Sequence, residues 1–217
     1  MMNSQIDCPL CNSNQAAPYF EDAKRPFHHC PICSLVFVTP THFLAPAAEK
    51  AEYDLHENDP SDAGYRRFLS RLFLPMQERL TPNSVGLDFG SGPGPTLSRM
   101  FAEVGHQMSI YDVFYAQETA VFNQTYDFIT ATEVVEHLHN PRFELNRLWS
   151  RLKPGGTLGI MTKLVIDRNA FAKWHYKNDL THVSFFSRET FSWLAAKWQA
   201  NLSFFHKDVI LLQKENQ

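Results

Sequence analysis

Apolar positions along the chain change period several times, and each change marks an expected element. Val85, Leu87 and Phe89 form a short run of β-branched or large apolar residues ending in glycine, which suits a strand buried in a parallel sheet. Behind it, Leu97, Met100 and Phe101 recur at helical spacing, with Pro95 suited to the first turn. A helix is predicted over 61–80, where Tyr65, Phe68, Leu69, Leu72, Phe73, Met76 and Leu80 share one face. Ser61 is its expected cap, Pro75 its expected kink or break, and Arg66, Arg67 and Arg71 its solvated face. Further strands are expected over 107–111, 126–130 and 157–161, and helices over 141–152 and within 166–176. Ser187 caps a last helix through Trp198, with Glu189 in its first turn. Residues 202–205 and 209–212 then read as antiparallel strands.

The most informative punctuation is Gly90, Gly92 and Gly94, which alternate between the first core strand and its helix. They let the backbone turn sharply and let a ligand lie against bare main chain. The free amides at the start of the helix favour a negative group there. A dinucleotide fingerprint requires glycine where the chain has Pro95, and the Gly-Lys-Ser/Thr of a P-loop is absent. Asp112 closes the second core strand, about 20 residues beyond the glycines, where a carboxylate can accept both ribose hydroxyls of an adenosine ligand.

Asp88-x-Gly90-x-Gly92-x-Gly94 resembles motif I of the class I S-adenosylmethionine (SAM) methyltransferases. Glu133-Val134-Val135-Glu136-His137-Leu138 resembles the turn after the fourth strand in their small-molecule branch. Leu152-Lys153-Pro154-Gly155-Gly156 resembles the turn into their fifth strand, and Thr181-His182-Val183-Ser184-Phe185-Phe186-Ser187 a stretch of the quinol- and sugar-type enzymes. The resemblance covers 84–217. It implies an α/β fold, a Rossmann-like doubly wound sheet of the class I type ending in antiparallel strands. It also implies SAM as cofactor, held by Asp88, Gly90, Ser91, Gly92, Gly94, Asp112 and Glu133, the last through its backbone more than its carboxylate. One departure stands out. Only fourteen residues separate Asp112 from Asp127, too few for a helix, a third strand and an adenine-contacting loop. The third strand is therefore expected to be missing or reduced, and Phe114 is a stacking candidate.

Composition bounds the rest. With 217 residues, 44% hydrophobic, the chain can bury one substantial core and a small appendage. The net charge of −3 and the absence of Lys/Arg runs argue against an affinity resting on nucleic-acid phosphates. No apolar stretch has signal or membrane-spanning length, so a cytoplasmic protein without a membrane partner is expected. Cys8, Cys11, Cys30 and Cys33 form C-x2-C, eighteen residues, C-x2-C, the spacing of a zinc ribbon. Four thiolates would close a tetrahedral, structural Zn²⁺ and supply the folding free energy of so small a segment. A disulfide pair or a redox motif is the competing reading. His28 and His29 are expected at the surface or behind the thiolates, and Lys24 and Arg25 are balanced by Asp7, Glu21 and Asp22.

The expected division is a zinc ribbon at 1–40, a lid or linker and packing helix at 41–82, and a SAM-binding core at 83–217. Many relatives cover the cofactor with a tyrosine from the segment before the core; Tyr53 and Tyr65 are the candidates, and packing aromatics fit each equally. Methyl transfer requires alignment and, for some acceptors, removal of a proton. His137 and His182 are the candidate bases, each also readable as a residue that holds its loop. Lys163, Trp174, His175 and Tyr176 are candidates for the pocket wall. The expected activity is methylation of a small-molecule acceptor, with the ribbon shaping the acceptor pocket or mediating a homodimer. The alternatives are an RNA methyltransferase whose ribbon grips RNA and a SAM-binding sensor without catalysis.

Overall fold

A computed structural model describes residues 6–55 and 58–216. The chain opens with three short strands, β1 (Ala17–Glu21), β2 (Pro26–His29) and β3 (Val36–Phe37). Helix α1 (Pro46–Tyr53) lies inside the segment expected as a lid or linker, and α2 (Ala63–Gln77) follows. The core then alternates β4 (Val85–Phe89), α3 (Thr96–Glu103), β5 (Gln107–Tyr111), β6 (Tyr126–Thr132), α4 (Pro141–Arg151) and β7 (Leu152–Met161). A short α5 (Arg168–Ala172), β8 (Ser184–Phe185), α6 (Arg188–Trp198), β9 (Ala200–Phe205) and β10 (Val209–Lys214) complete it.

The main sheet has the order β5-β4-β6-β7-β10-β9. Its first four strands are parallel, and β10 and β9 are antiparallel additions, as the sequence predicts. Among the described residues no strand lies beyond β5. The shortened segment makes a single 3-10 turn over Thr119–Asn123 and a one-residue bridge between Asp112 and Ala116, so the third strand is missing.

Side chains on successive residues of a strand go to opposite faces, and both faces are buried. Phe128, Val209 and Leu211 join Leu69, Leu72, Met76, Leu97 and Phe101 of α2 and α3. Their neighbours Ile129, Ile210 and Leu212 join Leu145 and Leu148 of α4 and Phe191 and Leu194 of α6. Two expectations for α2 are corrected. Asp62, not Ser61, is the cap, its carboxylate accepting the amides of Gly64 and Tyr65; a carboxylate adjacent to the first turn outcompetes a hydroxyl one place earlier. Pro75 does not split the helix, because so close to the last residue it deprives the helix of a single bond. Arg71 is not simply solvated: its guanidinium pairs with the buried Asp208.

The N-terminal strands form a second sheet, β1-β2-β3-β8, whose fourth member comes from the core. Val36 is registered with Phe185 and Phe37 with Ser184. Phe27, Val36 and Val38 pack with Val165, Phe171, Tyr176, Val183 and Phe185 in one apolar cluster.

Gly86 faces the α2–α3 layer, where a Cβ would lie 2.3 Å from Cζ of Phe128, itself fully buried. Gly86→Ala is therefore expected to destabilise the chain by about 1–3 kcal/mol in urea unfolding, and Phe128→Leu in the same chain to recover part of that loss. An unchanged midpoint in Gly86→Ala would show that the ring gives way freely.

Candidate functional site

Cys8 and Cys30 open two turns of the same shape. Asn12 and Ser34 donate their amides to the carbonyls of Cys8 and Cys30 at 2.9 and 2.8 Å, and both sit in left-handed backbone at φ 62° and 57°. The turns bring four unbridged thiols together, with Sγ separations of 3.5 Å for Cys8–Cys33 and 3.4 Å for Cys11–Cys30. All four sulfurs lie within 4.8 Å of one another. A tetrahedron with Zn–S bonds of about 2.3 Å places its sulfurs about 3.8 Å apart, so the donor set fits Zn²⁺. Of the two placements expected for His28, the surface one does not hold: it is buried, with its ring 5.9 Å from that of Phe37, and among the described residues no histidine joins the four sulfurs.

The carboxyl ends of β4, β5 and β6 open onto a cavity of about 740 Å³. Gly90, Ser91 and Gly92 line it, together with Asp112, Glu133, Tyr53, Phe114, His137 and His182. Gly90 has φ +74°, and a Cβ there would come within 2.3 Å of Val134, so no other residue fits this turn. Asp112 is buried and ties the loops together: Oδ2 accepts the Gly92 amide at 2.9 Å, and Oδ1 accepts those of Phe114 and Tyr115 at 2.8 and 3.1 Å.

Asp88 and Gly94 are not on the cavity wall. Asp88 points under the loop, where its Oδ1 accepts the Thr130 hydroxyl at 2.7 Å. Gly94 lies against the Asn58 backbone, 1.8 Å from its carbonyl oxygen if given a Cβ. Ser91 Oγ, Thr132 Oγ1 and Glu133 Oε1 are buried without a hydrogen-bond partner among the described residues, and all three residues line the cavity. Such orphaned polar atoms fit a polar ligand laid along the loop.

Beyond the glycine loop the wall is aromatic and rich in titratable groups. Tyr53, one of the two tyrosines weighed from sequence as a cofactor cover or a packing aromatic, sits at the end of α1 with its ring 5.1 Å from that of His137 and 5.6 Å from that of Phe114. Its hydroxyl donates to Glu49 at 3.0 Å. His137 and His182 stand edge to face with ring centroids 4.6 Å apart. Nδ1 of His137 meets the Thr181 carbonyl at 3.3 Å. Nδ1 of His182 is 2.7 Å from the Tyr176 carbonyl, and a carbonyl only accepts, so this nitrogen carries the proton and Nε2 the lone pair. Burial holds the His182 pKa below the ordinary imidazole value, with Asp179 opposing. Nε2 lies 3.6 Å from Oδ2 of Asp179.

Two carboxyls complete the wall. Burial, then the neighbouring Glu136, pushes Glu133 up to about 8. Burial pushes Glu136 up to about 7, although it accepts the hydroxyls of Tyr176 and Thr162. Tyr176 lines the cavity, whereas Lys163, Trp174 and His175 do not. Sequence reasoning gave no role to Glu49, Asn58, Glu136 or Asp179. Glu136 stood inside a quoted motif and Asp179 two residues before another, but nothing in a single sequence shows which way they face.

Residues 60–203 match the model of a family described as a methyltransferase domain, and the chain belongs to that family; it is a SAM-dependent methyltransferase. Among solved structures it resembles 1,6-didemethyltoxoflavin-N1-methyltransferase of Burkholderia thailandensis, determined with 1,6-didemethyltoxoflavin and S-adenosylhomocysteine. That match has 16% identity and a TM-score of 0.51 over 92% of this chain and 100% of that one. It also resembles human N-acetylserotonin methyltransferase in complex with SAM, with 16% identity and a TM-score of 0.54 over 68% of this chain and 51% of that one. At these identities the likeness is one of fold. No curated protein matches the sequence. No helix among the described residues is long and apolar enough to cross a membrane.

Two outcomes are expected from this geometry. The chain purified without chelator should carry about one zinc, and a chelator strong enough to strip it should melt the 1–40 segment, seen as loss of its amide protection; full protection after metal loss would remove zinc from the fold. Asp88 gives a pH signature. Burial pushes its pKa up to about 6, with Thr130 opposing, against about 3.9 in an unfolded chain. The folded state thus holds the proton more tightly. Its stabilising effect is complete below about pH 4 and is lost as pH rises through about 6, a swing of about 3 kcal/mol. The difference in unfolding free energy between the natural chain and Asp88→Asn should move by about that amount across the window; a pH-independent difference would refute the assignment.

Proposed function

We propose that this methyltransferase acts on a planar, hydroxyl-bearing small molecule and that His182 removes the proton from the accepting oxygen. The supporting observation is the His182 tautomer. With Nδ1–H committed to the Tyr176 carbonyl, Nε2 is the basic nitrogen of a residue on the cavity wall. SAM, when bound, supplies a methyl group already activated on a sulfonium. The chain's residues then have to hold the acceptor in line with it and take up the proton.

In this reading Gly90, Ser91, Gly92, Asp112, Thr132 and Glu133 hold the cofactor. After serving three backbone amides, Asp112 keeps about one acceptor site, on Oδ2, for a ribose hydroxyl, since a carboxylate offers about four. Asp88 and Gly94 shape the loop from behind. Tyr53, Tyr65, Phe68, Phe114 and Tyr176 give flat apolar faces for the acceptor. When Nε2 takes the acceptor proton, the imidazolium is stabilised by Asp179 at 3.6 Å. Asp179 stays ionised: burial raises its pKa, but the Thr181 hydroxyl and amide and the His182 ring draw it below the ordinary value. His137 walls the same space and steers the acceptor. Zn²⁺ on Cys8, Cys11, Cys30 and Cys33 is structural.

A small molecule is preferred to RNA because none of the residues lining the cavity is lysine or arginine, the side chains that draw in a phosphate backbone.

The test uses methyl-labelled SAM and a cell extract separated into small molecules, RNA and protein. Label is expected in the small-molecule fraction; label in RNA would overturn the acceptor class. His182→Gln should lower the transfer rate by about 10²–10⁴-fold with unchanged S-adenosylhomocysteine affinity by calorimetry, and an undiminished rate would remove His182 as the base. Asp112→Ala should abolish cofactor binding in a folded chain, and unchanged affinity there would displace the cofactor site.

A further inference from the structure

The turn between β1 and β2 carries Arg25, 3% exposed despite its charge. Asp22 builds that turn, its Oδ1 accepting the amides of Lys24 and Arg25 at 2.8 and 2.9 Å. From there the guanidinium reaches across to the segment that leads into His182. Nη1 donates to the Leu180 carbonyl at 2.9 Å, and Nη2 donates to those of Lys177 and Asp179 at 3.0 and 2.7 Å. Nζ of Lys24 lies 3.5 Å from the carbonyl between them, that of Asn178. Four consecutive carbonyls, 177 to 180, thus face two cations of the N-terminal sheet.

Carbonyl dipoles aimed the same way repel one another, and a short stretch holds that shape only against a fixed array of donors. The opposite side of the stretch is the cavity wall. There Asp179 accepts the Thr181 amide and hydroxyl at 2.9 and 2.6 Å, and the Tyr176 carbonyl accepts Nδ1–H of His182. Turning the carbonyls away from Arg25 would rotate the peptide planes that place both groups.

We propose that Arg25 is a positioning residue for methyl transfer: its fork on the carbonyls of Lys177, Asp179 and Leu180 fixes the tautomer and orientation of His182. The catalytic importance of this rests on the reading of His182 as the base; the structural coupling does not. It makes the cysteine-bearing segment part of the active site through one side chain. The task needs arginine specifically, because a planar fork can serve three acceptors that a lysine ammonium, a single point of charge, cannot reach together.

The test reads the His182 ring directly. The full-length, zinc-loaded chain is labelled with ¹⁵N-histidine and saturated with S-adenosylhomocysteine, and the ring nitrogens are followed by long-range proton–nitrogen correlation. His182 is assigned by its loss in His182→Gln. The natural chain should show one neutral tautomer protonated at Nδ1. Arg25→Met should lose that single pattern and show a mixture of tautomers, while its S-adenosylhomocysteine affinity stays unchanged. Arg25→Lys, which keeps the charge without the fork, should show the same loss. A His182 signal identical to the natural one in Arg25→Lys, or in a folded Arg25→Met, would overturn the proposal whatever happens to turnover. Failure of His182 as the base is read separately, from undiminished transfer by His182→Gln.

Discussion

A parallel strand cannot return to its neighbour through a tight hairpin, so each needs a longer crossover and all end at the same edge of the sheet. That constraint organises this molecule. β4, β5 and β6 deliver Gly90, Asp112 and Glu133 to one edge because each is the first residue or nearly so after its strand. The loss of the third strand does not disturb the arrangement, since the missing strand would lie outside β5. What is lost is a wall. Asp112 compensates by gathering the amides of Gly92, Phe114 and Tyr115 on one carboxylate, which closes the short segment back onto the glycine loop.

Closure against water sets the chemistry of the cavity. The same burial that pushes Glu133 up to about 8 and Glu136 up to about 7 holds His182 neutral. A site that draws Glu133 and Glu136 toward their protonated forms and His182 toward its neutral one is suited to accept a proton from a weakly acidic hydroxyl. Asp179 differs from these two glutamates: Thr181 and the imidazole it faces draw its pKa below the ordinary value. Negative charge is thereby placed beside the imidazole proposed as the base.

The N-terminal segment is woven into this edge. β3 pairs with β8, Val38 donates to the Val183 carbonyl, and the Val183 amide donates to that of Glu136. The backbone path from the cysteine turns to the cavity wall is therefore a chain of hydrogen bonds a few residues long. Arg25 adds a side-chain path to the same place.

Much of this was legible in the linear pattern. The apolar run of β10 and the helical spacing of α2, α4 and α6 gave elements within about three residues, because these patterns are local properties. Set against the fold the resemblance implies, the short interval between Asp112 and Asp127 foretold a missing or reduced third strand. Gly90, Gly92 and Asp112 were named from spacing, and Glu133, His137 and His182 from the resemblance; all six line one cavity. Other features depended on which face a side chain takes or which distant backbone it meets. Asp88 belongs to the same motif as Gly90, yet the pleat sends its carboxylate under the loop to Thr130. Arg25 looked like one half of a balanced charge pair and proves to hold three carbonyls more than 150 residues away in sequence. Sequence determined the elements, their order and the glycine loop, since these follow from neighbours along the chain. Tertiary structure alone decided the protonation of the cavity and the coupling of its two ends, since burial and long-range contact do not exist until the chain has folded.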